Sequence, residues 1–210
     1  GVLWRPGAVT MKNHQTGQQL DGQAMYYPFS GGPSKNKDCS WKKLPWNHTS
    51  RNPLSLIRPA DVEALLAWLN MGTSDTFDLP TEIEWEYAAR GGTGSPYTWP
   101  INAQDSDDWG NMQDVTYFKA RKVKVPAGVS RYQFGLGRDD KFAYTAPVGS
   151  YEPNQIGLYD AVGNVREMCR MPRNRWAYRG FSFNSSGDVM PLISREMRDP
   201  VESSFMLGCR

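Results

Sequence analysis

Leu79-Pro80-Thr81-Glu82-Ile83-Glu84-Trp85-Glu86-Tyr87-Ala88-Ala89-Arg90-Gly91-Gly92 carries its own start and stop signals for a helix. Thr81 is a good N-cap, and Glu84 three residues on completes a Thr-x-x-Glu capping box, in which two otherwise orphan backbone groups find partners. With Leu79 placed at N′ and Trp85 at N4, the pair would form a hydrophobic staple, and Gly91 follows the last apolar turn where the chain must take positive φ. The expected product is a short helix, buried along Trp85, Ala88 and Ala89 and sharply ended. Glu82, Glu84 and Glu86 stand near the positive end of the helix dipole, where a solvated carboxylate gains about 0.3 kcal/mol or a little more. They read as a solvated face and not as a catalytic carboxylate pair.

Working outward, the segment before this helix is helical too. Pro59 suits a first turn, and Val62, Leu65, Leu66 and Leu69 recur at the i, i+3, i+4, i+7 spacing of one buried face, which Asn70 to Gly72 ends. Residues 1–57 are rich in Gly, Pro, Asn and Lys, with apolar islands such as Met25-Tyr26-Tyr27-Pro28-Phe29 that read as short strands between loops. Residues 93–147 show no sustained period. A stretch that long either carries function or shields a core edge. In the last third, Gly157–Asp160, Trp176–Gly180 and Phe205–Arg210 read as short strands separated by turns, and no internal repeat occurs.

At 210 residues the chain can bury the core of one domain, so residues 1–210 are expected to form a single unit. Eight Trp, ten Tyr and eight Phe with abundant Gly and Pro suit a loop-rich fold held by aromatic packing. The net charge is +2 without long runs of one sign, which removes the electrostatic case for nucleic acid or for an anionic membrane as partner. No apolar run approaches a membrane span and Gly1-Val2-Leu3-Trp4-Arg5 is not a secretory signal, so a soluble chain without membrane insertion is expected, its compartment unknown. Cys39, Cys169 and Cys209 form no Cys-x-x-Cys spacing. They leave two options open, one disulfide plus a free thiol, or three free thiols as in a reducing compartment. Asn47-His48-Thr49 and Asn184-Ser185-Ser186 match glycosylation sequons, which matter only in a eukaryotic secretory setting. Cys39 with His48 lacks an orienting carboxylate, and Asp107-Asp108 reads as a solvated pair, so neither makes a catalytic site.

Several segments, in order, resemble the sulfatase-modifying-factor family of the formylglycine-generating enzymes. These are the Arg58 to Leu69 helix, Leu79 to Gly92, Ala146-Pro147-Val148-Gly149-Ser150, Gly157-Leu158-Tyr159-Asp160-Ala161-Val162-Gly163-Asn164-Val165, Arg179-Gly180 and Leu207-Gly208-Cys209-Arg210. The resemblance implies an α+β, C-type-lectin-like fold with two helices, short antiparallel strands and much irregular structure. The departures bear on function. The oxidising enzymes bind copper through two cysteines ahead of the final "GFR", and the comparable positions here are about Gly187 and Leu192. Neither side chain can replace a thiolate toward Cu(I). With only His14 and His48, the iron-binding His cluster of the sulfoxide-forming relatives is unsupported as well. Arg166 and Met168 stand where the family favours Trp, Phe181 and Phe183 where it has the Gly and Trp of "GGSW", and Cys209 where it has Phe.

Intact fold signatures ahead of a rewritten C-terminal third resemble the variable proteins of diversity-generating retroelements, which use the same fold and carry a mutable C-terminal segment. That resemblance implies a non-enzymatic module whose residues 179–210 recognise a protein or cell-surface ligand, displayed on a cell or phage surface. Arg179-Gly180, Arg195, Pro200 and Leu207 to Arg210 would be framework. The candidate ligand-binding residues are Phe181, Phe183, Asn184, Ser185, Ser186, Asp188, Met190, Glu196, Met197, Arg198, Asp199, Val201, Glu202, Ser203, Ser204 and Phe205. Phe181, Phe183 and Phe205 would be rigid anchors, with core packing the alternative for each, and the Asn and Ser residues adaptable hydrogen-bonding groups. Arg173 and Arg175 are candidates to edge the same face, whereas Trp176 beside them reads more as core. The family resemblance also makes calcium a candidate cofactor, held by the Gly163-Asn164-Val165 stretch through Asn164 and Glu167. The alternative there is a turn with Asn164 at positive φ and Glu167 paired to an arginine. An oxidase-like enzyme with an altered site is the rival to the binding module.

Overall fold

A computed structural model describes residues 24–26, 34–36, 44, 46–98, 109–122, 138–185, 191–197 and 207–209. A two-stranded antiparallel sheet, β1 (Ala24–Tyr26) with β2 (Ser34–Asn36), stands apart from the main sheet and overlaps the predicted Met25 island. Helix α1 (Pro59–Met71) begins where the sequence places it, with the buried Asp61 carboxylate accepting from the Arg58 backbone N–H at 2.8 Å. Helix α2 (Glu82–Arg90) has the predicted capping box. Thr81 N–H donates to Glu84 Oε2 at 2.8 Å and Glu84 N–H to Thr81 Oγ1 at 3.3 Å, while Gly91 takes φ +60°. The staple does not form. Pro80, not Leu79, is the N′ residue, and Leu79 and Trp85 belong to different apolar clusters.

The main sheet orders β5 (Glu196–Met197), β4 (Arg175–Arg179), β3 (Arg166–Met171) and β6 (Leu207–Gly208). β3 and β4 form an antiparallel hairpin, and β5 adds antiparallel to β4. β6 pairs parallel with β3, which corrects the expectation of antiparallel pairing throughout. Farther along, the same outer edge of β3 accepts the α2 entry: Thr81 bridges Arg170, whose N–H donates to Pro80 O at 2.8 Å. Of the predicted strands, Trp176–Gly180 and Phe205–Arg210 overlap β4 and β6. Gly157–Asp160 is a turn region, with Gly157 and Asp160 at positive φ.

Alternation along β3 sends neighbouring residues into two cores. Met168 joins Ile57, Val62, Leu79, Trp176, Tyr178 and Leu207 on the α1 side. Cys169 joins Trp85, Ala89, Met112, Ala161, Val162, Phe181 and Leu192 on the α2 side. Cys209 packs on the α1-side cluster, so the sheet lies between it and Cys169; both thiols are free. Cys39 lies outside the described residues. A third helix, α3 (Val115–Ala120), appears inside the stretch read as irregular, correcting the count of two. Its cap is Asp114, whose carboxylate accepts from Tyr117 N–H at 2.6 Å.

Glu82 and Glu86 are more than a solvated face. Both reach the buried guanidinium of Arg179 at the end of β4, at 3.0 and 2.6 Å, which a local reading of α2 misses. Among the described residues, no helix is long and apolar enough to cross a membrane.

Candidate functional site

Asn164 organises the region where the C-terminal segment begins. Its backbone takes φ +60°, its Oδ1 accepts from Ala146 N–H at 2.7 Å and from Asn111 Nδ2 at 3.1 Å, and its Nδ2 donates to Ala146 O at 3.3 Å. Its N–H donates to Asn111 O at 2.8 Å and its carbonyl accepts from Phe183 N–H at 3.0 Å. One buried amide thus ties the loops around 111, 146 and 183 together. Gly163 beside it has φ +77°, and a Cβ there would stand 2.3 Å from Asn111 O, so glycine is required.

These bonds bear on the two predicted calcium ligands. Both lone pairs of Asn164 Oδ1 are used by protein donors, and the buried Glu167 accepts from Trp85 Nε1 at 2.6 Å. Asn164 Oδ1 is therefore taken by protein donors; the turn at positive φ is present, and Glu167 Oε2 accepts from the Trp85 indole. Asn111 Oδ1 is left buried without a hydrogen-bond partner. No group of three or more His, Cys, Asp or Glu side chains arranged for a metal occurs among the described residues.

Beyond Asn164 the chain turns through Gly180 and Phe181, both at positive φ, into a tight turn at 182–185. Phe181 is 4% exposed and packs with Trp85 and Leu192. Phe183 is 3% exposed under Tyr117, Trp46 and Tyr144, the last two rings stacked at 4.7 Å. Ser185 is buried, its Oγ accepting from Ser182 N–H at 3.1 Å and its carbonyl from Gln113 N–H at 2.9 Å. For Phe181 and Phe183 the core-packing alternative is the one that forms, and the expectation that Ser185 is an adaptable contact is corrected. All three are internal: the two rings pack in aromatic and apolar clusters, and Ser185 Oγ closes the 182–185 turn.

Asn184 is half-buried and faces α3. Its Oδ1 accepts from Gln113 Nε2 at 3.2 Å and from the Tyr117 hydroxyl, which in turn accepts from Arg121. Arg121 also lies over the Tyr117 ring, 5.0 Å from its centroid. Burial raises the Tyr117 phenol above its ordinary value, with Arg121 opposing. Sequence reasoning missed Gln113, Tyr117 and Arg121; the Asp114 cap before Val115-Thr116-Tyr117-Phe118 was the available signal. Glu196 is half-buried and pairs with Arg166 at 3.0 Å, and Met197 is 48% exposed. Ser186, Asp188, Met190, Arg198, Asp199, Val201, Glu202, Ser203, Ser204 and Phe205 lie outside the described residues. Arg173 and Arg175 sit at the β3–β4 turn, the opposite end of the hairpin from Arg166, and do not edge this face; Trp176 is core.

Of the two positions comparable to copper-binding cysteines, Gly187 lies outside the described residues. Leu192 is 1% exposed in the α2-side core, its N–H donating to Pro96 O at 2.7 Å and its carbonyl accepting from Arg179 Nη2 at 2.8 Å.

Residues 8–206 match the sulfatase-modifying factor enzyme 1-like domain. The chain belongs to this family. As a sulfatase-modifying factor-like chain it is 37% identical over 161 residues to a formylglycine-generating enzyme of Mycobacterium tuberculosis, covering 69% of this chain and 46% of that protein. It is 34% identical over 153 residues to an inactive Cα-formylglycine-generating enzyme 2 of Mus musculus, covering 72% and 36%. The sulfatase-modifying factor-like chain thus spans less than half the length of these curated relatives. Among solved structures it resembles PvdO of Pseudomonas aeruginosa, with a TM-score of 0.63, 21% identity and coverage of 81% and 65%. It also resembles variable protein 1 of Treponema denticola, with a TM-score of 0.56, 17% identity and coverage of 90% of each chain. These structures bear out the C-type-lectin-like α+β fold of the sulfatase-modifying factor-like chain.

Proposed function

We propose that this chain is a non-enzymatic binding module, a variable protein of a diversity-generating retroelement, which presents a changeable C-terminal surface to a protein or cell-surface ligand. The observation that carries it is Leu192. A position comparable to a copper-binding cysteine holds an aliphatic side chain sunk in the core and fixed at both main-chain atoms, which offers no soft ligand to Cu(I). The likeness to a variable protein along 90% of both chains supports the same reading. Arg179, Asn164 and the 182–185 turn hold the start of the segment, while Met197 stands exposed beyond it.

The names of the curated relatives favour the rival, an oxidase-like enzyme with an altered site. Copper titration followed by oxygen consumption on a cysteine-containing peptide separates the two. No uptake above the blank is expected, and turnover would overturn the binding module. Sequencing the gene neighbourhood addresses the finer part: a reverse transcriptase beside a near-duplicate template repeat of residues 179–210 is expected, and their absence removes the retroelement.

A further inference from the structure

Asn184 is the one residue of 181–185 that is not buried. Helix α3 comes from the middle of the chain and touches the segment at that residue. We propose that the basic end of α3, Lys119, Arg121 and Lys122, joins Asn184 in one interaction surface that takes an acidic patch on a protein partner. The proposal rests on the binding-module function and extends it to scaffold residues outside the changeable segment.

Lys119 and Lys122 are exposed, and among the described residues neither has an ion-pair partner. The nearby carboxylates are committed elsewhere. Asp139 pairs with Lys141 at 2.8 Å and accepts from Thr116. Asp140 is buried and accepts from the N–H groups of Met112 and Phe142, each at 2.9 Å. Asp114 is buried and accepts from Tyr117 and Asp140 N–H groups. Cations at a helix C-terminus complement its dipole, but a helix of one and a half turns has little dipole for three of them to complement.

Arg121 is not a loose side chain. It donates to the Tyr117 hydroxyl, and that hydroxyl donates to Asn184, so the guanidinium is held in register with the segment. Beside them stand the half-buried Trp46 and Tyr144 rings over Phe183. Arginine and aromatic residues with amides between them are the composition of a protein interface. The chain as a whole carries only +2, so the positive field is local. That suits a compact acidic patch rather than a long polyanion, whose affinity comes from many phosphate contacts.

The probe is a fluorescein-labelled oligo-glutamate peptide, followed by anisotropy with the full chain at low and at physiological salt. Labelled duplex DNA and vesicles of phosphatidylcholine with phosphatidylserine run in parallel. The peptide is expected to bind, more weakly as salt rises, and the double variant Lys119→Glu, Lys122→Glu to bind it about tenfold more weakly. Arg173→Glu with Arg175→Glu, on the distant hairpin turn, is expected to leave binding within about twofold. Unchanged circular dichroism and urea midpoints in both variants establish that the fold is intact. The surface is overturned if oligo-glutamate does not bind, if the α3 variant binds it equally, or if DNA or vesicles alone depend on the α3 lysines. A template repeat with no oligo-glutamate binding would overturn this surface alone; binding without a template repeat would overturn the retroelement alone.

Discussion

Arg179 is nearly fully buried, yet it carries a full charge. Glu82 and Glu86 neutralise it, Leu192 O accepts from it, and its guanidinium lies 5.1 Å from the centre of the Trp85 ring. Removing the cation leaves Glu86 with Arg90 and Glu82 with Arg195 but empties a buried ion-paired site and frees Leu192 O, so Arg179→Ala is expected to cost about 2 kcal/mol, read as a lowered urea midpoint. Phe181 occupies left-handed backbone at φ +65°, where the family pattern has glycine, and fills the α2-side core. Phe181→Ala is expected to cost about 3 kcal/mol in the same assay, because a cavity outweighs the local strain. Cys169 and Cys209 set an alkaline limit. Burial, with the Glu167 charge added, pushes both thiols from 9.0 up to about 12. The folded state keeps protons that the unfolded chain releases, so this contribution is complete below pH 9.0 and is lost as pH rises toward 12. Urea midpoints should therefore fall above pH 9, less steeply in Cys169→Ala than in the native chain.

At the level of elements, what could be read in advance was what is local. The α2 cap depends on Thr81 and Glu84, three residues apart, and formed as expected. Thr81→Ala should cost about 1 kcal/mol in thermal unfolding, with the loss confined to the α2 start in amide exchange. Helix α3 escaped prediction because six residues show no periodicity, leaving Asp114 as its one local mark. The roles of Glu82 and Glu86 also escaped, since their partner Arg179 lies more than ninety residues away. Alternation of Phe181, Ser182 and Phe183 puts both rings on one face without saying whether that face is core or surface, and their burial against Trp85, Leu192, Tyr117, Trp46 and Tyr144 depends on residues far off in sequence. Fold motifs are written in neighbouring residues, whereas the exposure of a site residue depends on distant packing.

Across the whole molecule, the parallel pairing of β6 with β3 has a consequence for chain length. β5 and β6 lie at opposite edges of the four-stranded sheet, so residues 198–206 must connect one edge to the other. Three interstrand gaps of about 4.8 Å, with Met197 level with Cys169 and Leu207 level with Arg166, make that span roughly 17 Å before any detour over a sheet face. At about 3.3 Å per residue, a connection much shorter than about five residues could not reach. Deleting six of the nine residues 198–206 should therefore abolish cooperative unfolding in urea. The span sets a minimum length and no comparable maximum, since lengthening a loop costs only about 0.6 kcal/mol per doubling. A lineage carrying this sheet can thus add residues between its last two strands more freely than it can remove them, and novelty in that connection can come from length as well as from substitution.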